Sequence, residues 1–288
     1  MNTKDNVIVL VSGGKDSTLC LALALKHYAN VTAVFNDTGW EHPLTYQYLK
    51  ELESLFNITI NHSHSKRHGS NLEEAIIQDK NFPSRNRRFC TKNLKQYSFI
   101  DWYEENLYPP RKLAYHRPGS ANPKSIPTRK PKIYELWIGI RTDESIDRKR
   151  KYGKLDRKSY YEPNDIFPKP YPKHLNDTLQ MRFPILDLST HQVFKWLDKL
   201  KVPINPLYKE TTTYNHKNPE QPLKEPVLIN SRVGCYPCLL ATSKNQLRAF
   251  STDFGKEQLT KIRSLEDIIH QKYEFNTTNE EACRLCSI

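Results

Sequence analysis

The chain has 288 residues, 37% hydrophobic and 26% charged, with a net charge of +12 at pH 7. That length suggests one large domain or one and a half, with a core that needs no disulfide staples. No apolar run approaches the ~18 residues of a membrane span, and Met1–Asp5 lack the form of a signal peptide, so no membrane partner and a cytoplasmic location are expected. The positive balance points to a polyanion such as nucleic acid, the competing reading being a basic, solvated surface.

In chain order, Val7–Val11 is short and β-branched, as a central parallel strand would be. Asp16–Tyr28 follows with Leu19, Leu21, Leu23 and Leu25 and reads as a buried helix. Val31–Gly39 predicts a second strand ending in polar residues, and "PLTYQYLKELESLF" an amphipathic helix opened by Pro43. Ile58–Ile60 predicts a third strand. This βαβαβ order implies an α/β fold with a doubly wound, mainly parallel, Rossmann-like sheet.

The polar "NHSHSKRHGSN" then reads as a loop, "NLEEAIIQ" and "KQYSFIDWYEENL" as helices, and "YPPRKLAYHRPGSANPKSIPTRKPK" as irregular. Ile133–Arg141 predicts a strong strand. "MRFPILDLSTHQVFKWLDKL" passes from strand to helix, with Ser189 and Gln192 spaced as a capping box. Past Lys201 the chain turns proline-rich and cysteine-bearing, so a soft boundary divides residues 1–200 from 201–288.

Ser12-Gly13-Gly14-Lys15-Asp16-Ser17 joins the first strand to the first helix. Backbone N–H groups and the helix dipole favour an anion there. Two glycines let the backbone approach a phosphate, two serines add donors and Lys15 adds a charge. Val9 and Asp16 stand where a Walker A loop needs glycine and Ser or Thr. A tight turn with glycines chosen for packing is the competing reading.

"SGGKDS" resembles the PP-loop of the ATP pyrophosphatases, the adenine-nucleotide α-hydrolase-like group. "DTGWEHPLTYQYLKEL", "RFCTKNLK", "WIGIRTDES" and "RVGCYPC" resemble, in order, successive blocks of the phosphoadenosine-phosphosulfate reductase-like family. The resemblance implies cleavage of ATP to AMP and pyrophosphate with Mg²⁺, the phosphates gripped by Ser12, Gly13, Gly14, Lys15, Asp16 and Ser17. Asp37 would organise metal or nucleotide, and Gly139 and Arg141 would line the nucleotide site. A surface salt bridge to Asp143 or Glu144 competes for Arg141. Sulfonucleotide reductases typically carry a degraded loop, whereas this one is intact. That favours ATP-consuming relatives such as DndC/SspD-type DNA phosphorothioation proteins. The implied partners are then nucleic acid, DNA favoured over RNA, and a cysteine desulfurase or other sulfur donor; a homodimer is compatible. A PAPS or APS reductase, an ATP sulfurylase-like enzyme and a non-catalytic nucleic-acid-binding partner are the alternatives.

Of six cysteines, Cys235 and Cys238 form one Cys-x-x-Cys and Cys283 and Cys286 another. Two such pairs in a reducing compartment point to a tetrathiolate site for zinc or an iron–sulfur cluster, with a redox dithiol as the alternative. The family resemblance favours a 4Fe-4S cluster and adds Cys90, in a block whose relatives normally carry adjacent cysteines. Here Phe89 takes the other place, so Cys283 or Cys286 would complete the set, and the other could carry a persulfide. Cys20, mid-helix, reads as core.

"RKRKYGKLDRK" (Arg148–Lys158), followed by Tyr160 and Tyr161, reads as a nucleic-acid-holding loop or a solvated one. Arg85, Arg87 and Arg88 flank Cys90 and would draw phosphate towards it. His62, His64 and His68 read as loop residues rather than as a metal cluster.

Overall fold

β1 (Asn6–Val11) lies at the centre of a five-stranded parallel sheet. The structure, a computed structural model, describes residues 6–84, 86–114, 124–167, 171–215, 217–218 and 220–273. α1 (Lys15–His27), β2 (Asn30–Asn36), α2 (Pro43–Phe56) and β3 (Ile60–Ser63) follow β1. After α3 (Leu72–Asp79) comes one continuous helical stretch: α4 (Phe89–Thr91), a π-helical segment over Lys92–Tyr97, and α5 (Ser98–Asn106). β4 (Arg111–Ala114) and β5 (Lys124–Pro127) pair antiparallel, and β6 (Tyr134–Ile138) returns to the main sheet. α6 (Ile146–Tyr152), α7 (Pro163–Ile166), β7 (Leu179–Arg182) and α8 (Thr190–Lys199) come next. β8 (Thr211–Thr212) pairs with β9 (Val227–Leu228), and α9 (Ser243–Phe250) and α10 (Asp253–Ile269) follow.

The sheet order is β3-β2-β1-β6-β7, every pairing parallel. The chain winds outward from β1 to β3, then resumes on the other side of β1 at β6. The crevice between the carboxyl ends of β1 and β6 is therefore the switch point at which such sheets bind ligands. Alternation along β1 feeds both faces of the sheet: Val7, Val9 and Val11 pack with α1, α2 and α8, while Ile8 packs with α5, Leu136 and Met181. Trp40 and the helices α3, α9 and α10 build a further apolar cluster. Val202 joins the core under α8, so the chain past Lys201 starts from the sheet's own packing.

Pro43 occupies the first turn of α2, and Ser189 and Gln192 form the expected capping box of α8. Three expectations are corrected. The third strand is Ile60–Ser63 rather than Ile58–Ile60, so Asn61, His62 and Ser63 belong to it. β3 ends the sheet, and an edge strand tolerates polar side chains that read as loop. The proline- and lysine-rich stretch contains the β4–β5 hairpin. Arg148–Tyr152 is helical, because Ser145 caps α6 by accepting the Arg148 N–H at 3.2 Å.

Candidate functional site

The turn between β1 and α1 is tied to itself and to distant parts of the chain. Gly13 takes φ +70°, and a Cβ there would meet Thr45 Cγ2 at 2.7 Å, so neither backbone nor space admits a side chain. The Ser12 N–H donates to Ser17 Oγ at 3.0 Å, and the Ser17 hydroxyl donates to the Gly14 carbonyl at 3.0 Å. Asn205 Nδ2 donates to the Gly13 carbonyl at 3.1 Å, and the Lys15 N–H donates to the Tyr208 hydroxyl at 3.1 Å. The first N–H groups of a helix lack intrahelical partners, which suits this end of α1 to anionic oxygens.

Lys15 and Asp16 are both buried, with Nζ and Oδ2 3.0 Å apart. The other Asp16 oxygen accepts from Arg141 Nε at 2.6 Å. Arg141 is 1% exposed, so it is no surface residue, although Nη1 does pair with Asp143 at 3.2 Å. Nη1 also donates to the Leu188 carbonyl at 2.9 Å and Nη2 to Thr190 Oγ1 at 3.0 Å. Arg141 thus locks Asp16, and through it Lys15, to the start of α8. Gly139 sits where a Cβ would meet the Asp16 carbonyl carbon and the Ser17 nitrogen at 2.9 Å each. Its missing side chain lets the end of β6 touch the loop.

More positive charge gathers here. Glu144, its side chain 5% exposed, pairs with Arg148 and with Arg232 Nε at 3.1 Å. Arg148 is within electrostatic reach of Asp16, and Val233 presents its carbonyl to Gly14.

Beside the loop, β2 runs into Asp37. Oδ1 of Asp37 accepts from the Tyr46 hydroxyl at 2.7 Å and from the Gly39 N–H at 2.9 Å, while Oδ2 lies 3.2 Å from His62 Nδ1. Burial pushes this carboxyl up, but the bonds from His62, Gly39 and Tyr46 outweigh it and hold it at about 2. The bond to Asp37 in turn raises His62. His64 joins them: the three ligand atoms all lie within 4.8 Å of one another. His68 stands apart, stacked on Tyr97 with ring centroids 5.5 Å apart.

Glu41 links this corner to the cysteines. Its carboxylate accepts from the Thr38 hydroxyl at 2.7 Å and from the Thr38 and Trp40 N–H groups, and Cys235 Sγ donates to it at 3.6 Å. Burial pushes Glu41 up against the pull of Lys95. The Trp40 carbonyl accepts from the Tyr236 N–H at 2.7 Å and Trp40 Nε1 donates to the Pro237 carbonyl at 3.1 Å, so "DTGWE" and "GCYPC" are stitched together. Lys95, on the π-helical segment, interacts electrostatically with Cys235, Cys238, Cys90 and Glu41. The Cys235 sulfur foremost, and Glu41 after it, keep Lys95 charged above its ordinary range. Burial pushes the Cys235 thiol up to about 12 despite the pull of that ammonium.

Cys90 and the distant Cys235–Cys238 pair are therefore brought within electrostatic reach of one lysine; Cys283 and Cys286 lie outside the described residues. Cys20 is fully buried in α1, as core. Of the arginines beside Cys90, Arg88 is near enough to act on its thiol, Arg87 pairs with Asp79 at 3.1 Å, and Arg85 lies outside the described residues. In the Arg148–Lys158 patch, Arg157 pairs with Asp187 at 3.6 Å, and Tyr160 donates to buried Glu135 at 3.1 Å. Sequence reading missed Glu41, Lys95, Asn205 and Tyr208; it named Asp37 for metal or nucleotide but read His62 and His64 as loop residues and did not join them to it. Glu41 and Lys95 fall inside the quoted blocks, which was a usable signal; Asn205 and Tyr208 carried none.

An uncharacterised protein of Methanocaldococcus jannaschii is 27% identical over 254 residues, covering 88% of this chain and 40% of that protein. A 7-cyano-7-deazaguanine synthase of Herminiimonas arsenicoxydans is 50% identical over 44 residues, 15% of this chain and 19% of the enzyme. The chain thus spans well under two thirds of either relative. An uncharacterised 37.8 kDa protein in the gpa 5′ region of Escherichia phage 186 is 24% identical over 304 residues, covering 91% of this chain and 75% of that one. Among solved structures, phosphoadenylyl-sulfate reductase from Candida auris in a phosphate complex has a TM-score of 0.44 and 14% identity, over 71% of this chain and 77% of that one. Candida glabrata FMN adenylyltransferase with FAD and inorganic pyrophosphate has a TM-score of 0.41 and 13% identity, over 100% and 75%. At such scores, what those enzymes bind remains a statement about them. The phosphoadenosine phosphosulfate reductase domain matches residues 6–241, which contain the loop, Arg141 and the three clustered cysteines, and the chain belongs to that family.

Proposed function

We propose that this protein is an ATP pyrophosphatase that adenylates a nucleic-acid substrate, DNA before RNA, for sulfur incorporation into its backbone. The observation that carries the reading is the intact loop at the β1–β6 switch point, with Lys15 held by Asp16 and Asp16 held by Arg141. A loop fixed in advance stabilises charge developing on a departing pyrophosphate without reorganising during the reaction. In the step proposed, a backbone phosphate oxygen bonds to Pα of ATP as the Pα–O–Pβ bond breaks. Pyrophosphate leaves with the electron pair, towards Lys15 and the N-terminus of α1. The outer sulfur of a persulfide from a desulfurase-type donor then bonds to the activated phosphorus and displaces AMP, and a dithiol reductant breaks the remaining S–S bond, becoming a disulfide as it frees the phosphorothioate. Mg²⁺ would neutralise the triphosphate and Asp37 would orient it. The net charge of +12 supports a polyanionic acceptor, since each neutralised phosphate releases counterions.

The donor set fits an iron–sulfur cluster. Cys90, Cys235 and Cys238 offer three sulfurs within electrostatic reach of the Lys95 ammonium, with a fourth thiol needed from beyond the described residues. When bound, such a cluster would supply a redox-capable, thiolate-held centre; zinc would supply a structural tie.

A sulfonucleotide reductase is the second reading, favoured by the same three cysteines lying beside a nucleotide-type loop. Incubating anaerobically purified protein with ATP and candidate acceptors while following AMP and pyrophosphate, and in parallel with APS or PAPS and thioredoxin while following sulfite, separates the two. Equimolar AMP and pyrophosphate supports the pyrophosphatase. Thioredoxin-dependent sulfite production without ATP turnover supports the reductase, and ATP binding without either product leaves a non-catalytic binding partner.

A further inference from the structure

The register of β2 against β3 aligns more than backbone. Phe35 is paired with His62 and Asn36 with Ser63, and the Asp37 N–H donates to the Ser63 carbonyl at 3.0 Å. Paired residues of neighbouring parallel strands share a face, so Phe35 and His62 lie on one side, and Asp37 and His64 follow one residue past the ends of β2 and β3, with the three ligand atoms within 4.8 Å of one another. Asp37 is buried, whereas both imidazoles are exposed at the sheet edge.

The group is held in place by neighbours outside the three ligand side chains. Tyr46 and the Gly39 N–H occupy Asp37 Oδ1, which leaves Oδ2 turned to the histidines. Gly39 reaches that position at φ +62°, where a Cβ would meet Asn71 Cβ at 2.7 Å. The His62 ring stands edge-on to Phe35, with centroids 5.2 Å apart and planes at 76°. Such outer contacts orient metal ligands and are the usual mark of a built site.

We propose that Asp37, His62 and His64 form a site for a divalent first-row transition ion, with two imidazoles and one carboxylate as ligands and open positions towards solvent. The two nitrogen donors separate it from the Mg²⁺ that accompanies ATP, since Mg²⁺ takes oxygen ligands in near-ideal octahedral geometry. They equally separate it from the thiolate site around Lys95. Two imidazoles, one carboxylate and open positions make a ligand set suited to binding and polarising a small molecule or water.

The test uses Co²⁺ titrated into the full-length protein without nucleotide, because its absorption distinguishes nitrogen and oxygen ligands from sulfur. One Co²⁺ per chain is expected with nitrogen and oxygen ligand-field bands, and any cobalt taken up by the Cys90–Cys235–Cys238 sulfurs is told apart by its sulfur charge transfer. His62→Ala and His64→Ala should each weaken it by roughly 10–100-fold, while Cys235→Ser and Lys15→Ala leave it unchanged. His64 is exposed, so its replacement tests binding without endangering the fold. Unchanged affinity in His64→Ala, or cobalt taken up with sulfur charge transfer alone, would overturn the proposal. Since no ATP is present, neither result depends on the pyrophosphatase reading.

Discussion

Arg141 Nε stands 2.6 Å from Asp16 Oδ1, 125 residues away in sequence, and this contact fastens the carboxyl end of β6 to the first turn of α1. Both partners are buried, so deleting one leaves the other without full compensation. Arg141→Met should destabilise the fold by about 3–5 kcal/mol, read from the urea midpoint. Arg141→Lys keeps the charge but cannot serve Asp16, Leu188 and Thr190 together, so it should recover only part of that loss. A Lys variant as stable as the parent would mean that the fork of hydrogen bonds contributes nothing.

Lys15→Ala tests the chemistry of the loop. Asp16 keeps its Arg141 partner, so the fold should survive, with a circular dichroism spectrum like the parent's. Pyrophosphate release should fall by roughly 10²–10³-fold, the usual effect of removing one charge-stabilising donor. Undiminished release would take the loop out of the mechanism.

Gly139→Ala probes the contact between β6 and the loop. The added methyl would lie 2.9 Å from backbone atoms of Asp16 and Ser17, which cannot swing aside as a side-chain tip can. A cost of about 1–3 kcal/mol is expected from overpacking, together with weaker ATP affinity measured by calorimetry. If affinity holds while stability falls, the glycine serves packing alone.

The parallel half of the fold was legible because β1 is apolar on both faces and the glycine turn leads straight into a buried helix. Cys20 was legible as core for the same reason. His62 was misread because β3 is an edge strand, whose polar residues mimic a loop until its register with Phe35 is known, whereas His64 does lie just past the strand end. Asn205 and Tyr208 reach the loop across 192 and 193 residues, through single side-chain bonds that leave no periodic trace. The cysteine blocks could be grouped by resemblance, yet the lysine at their centre, Lys95, was hidden among ordinary basic residues of a helix.

Ser189→Ala offers a control for stability without chemistry. Its hydroxyl accepts the Gln192 N–H at 3.2 Å, and the Gln192 side chain accepts the Ser189 N–H at 2.7 Å. Loss of the cap should cost about 1 kcal/mol, seen as a lower melting temperature. The cap bonds only within the first turn of α8, so ATP affinity should stay as in the parent.

The three clustered cysteines make a prediction about metal content. Cys90, Cys235 and Cys238 lie within electrostatic reach of the Lys95 ammonium, whereas Cys20 lies fully buried in α1, where the Asp16 carboxylate adds to burial in holding its proton on. Serine at position 90, 235 or 238 should therefore lower the iron or zinc recovered with anaerobically purified protein, while Cys20→Ala should leave it intact. Cys235→Ser removes the sulfur that contacts Thr38 and Glu41, so among the three it should also loosen the stitch between "DTGWE" and "GCYPC". Elemental analysis distinguishes the outcomes: equal metal in all four variants would deny the cysteines a ligand role, and loss confined to iron would favour the cluster over zinc.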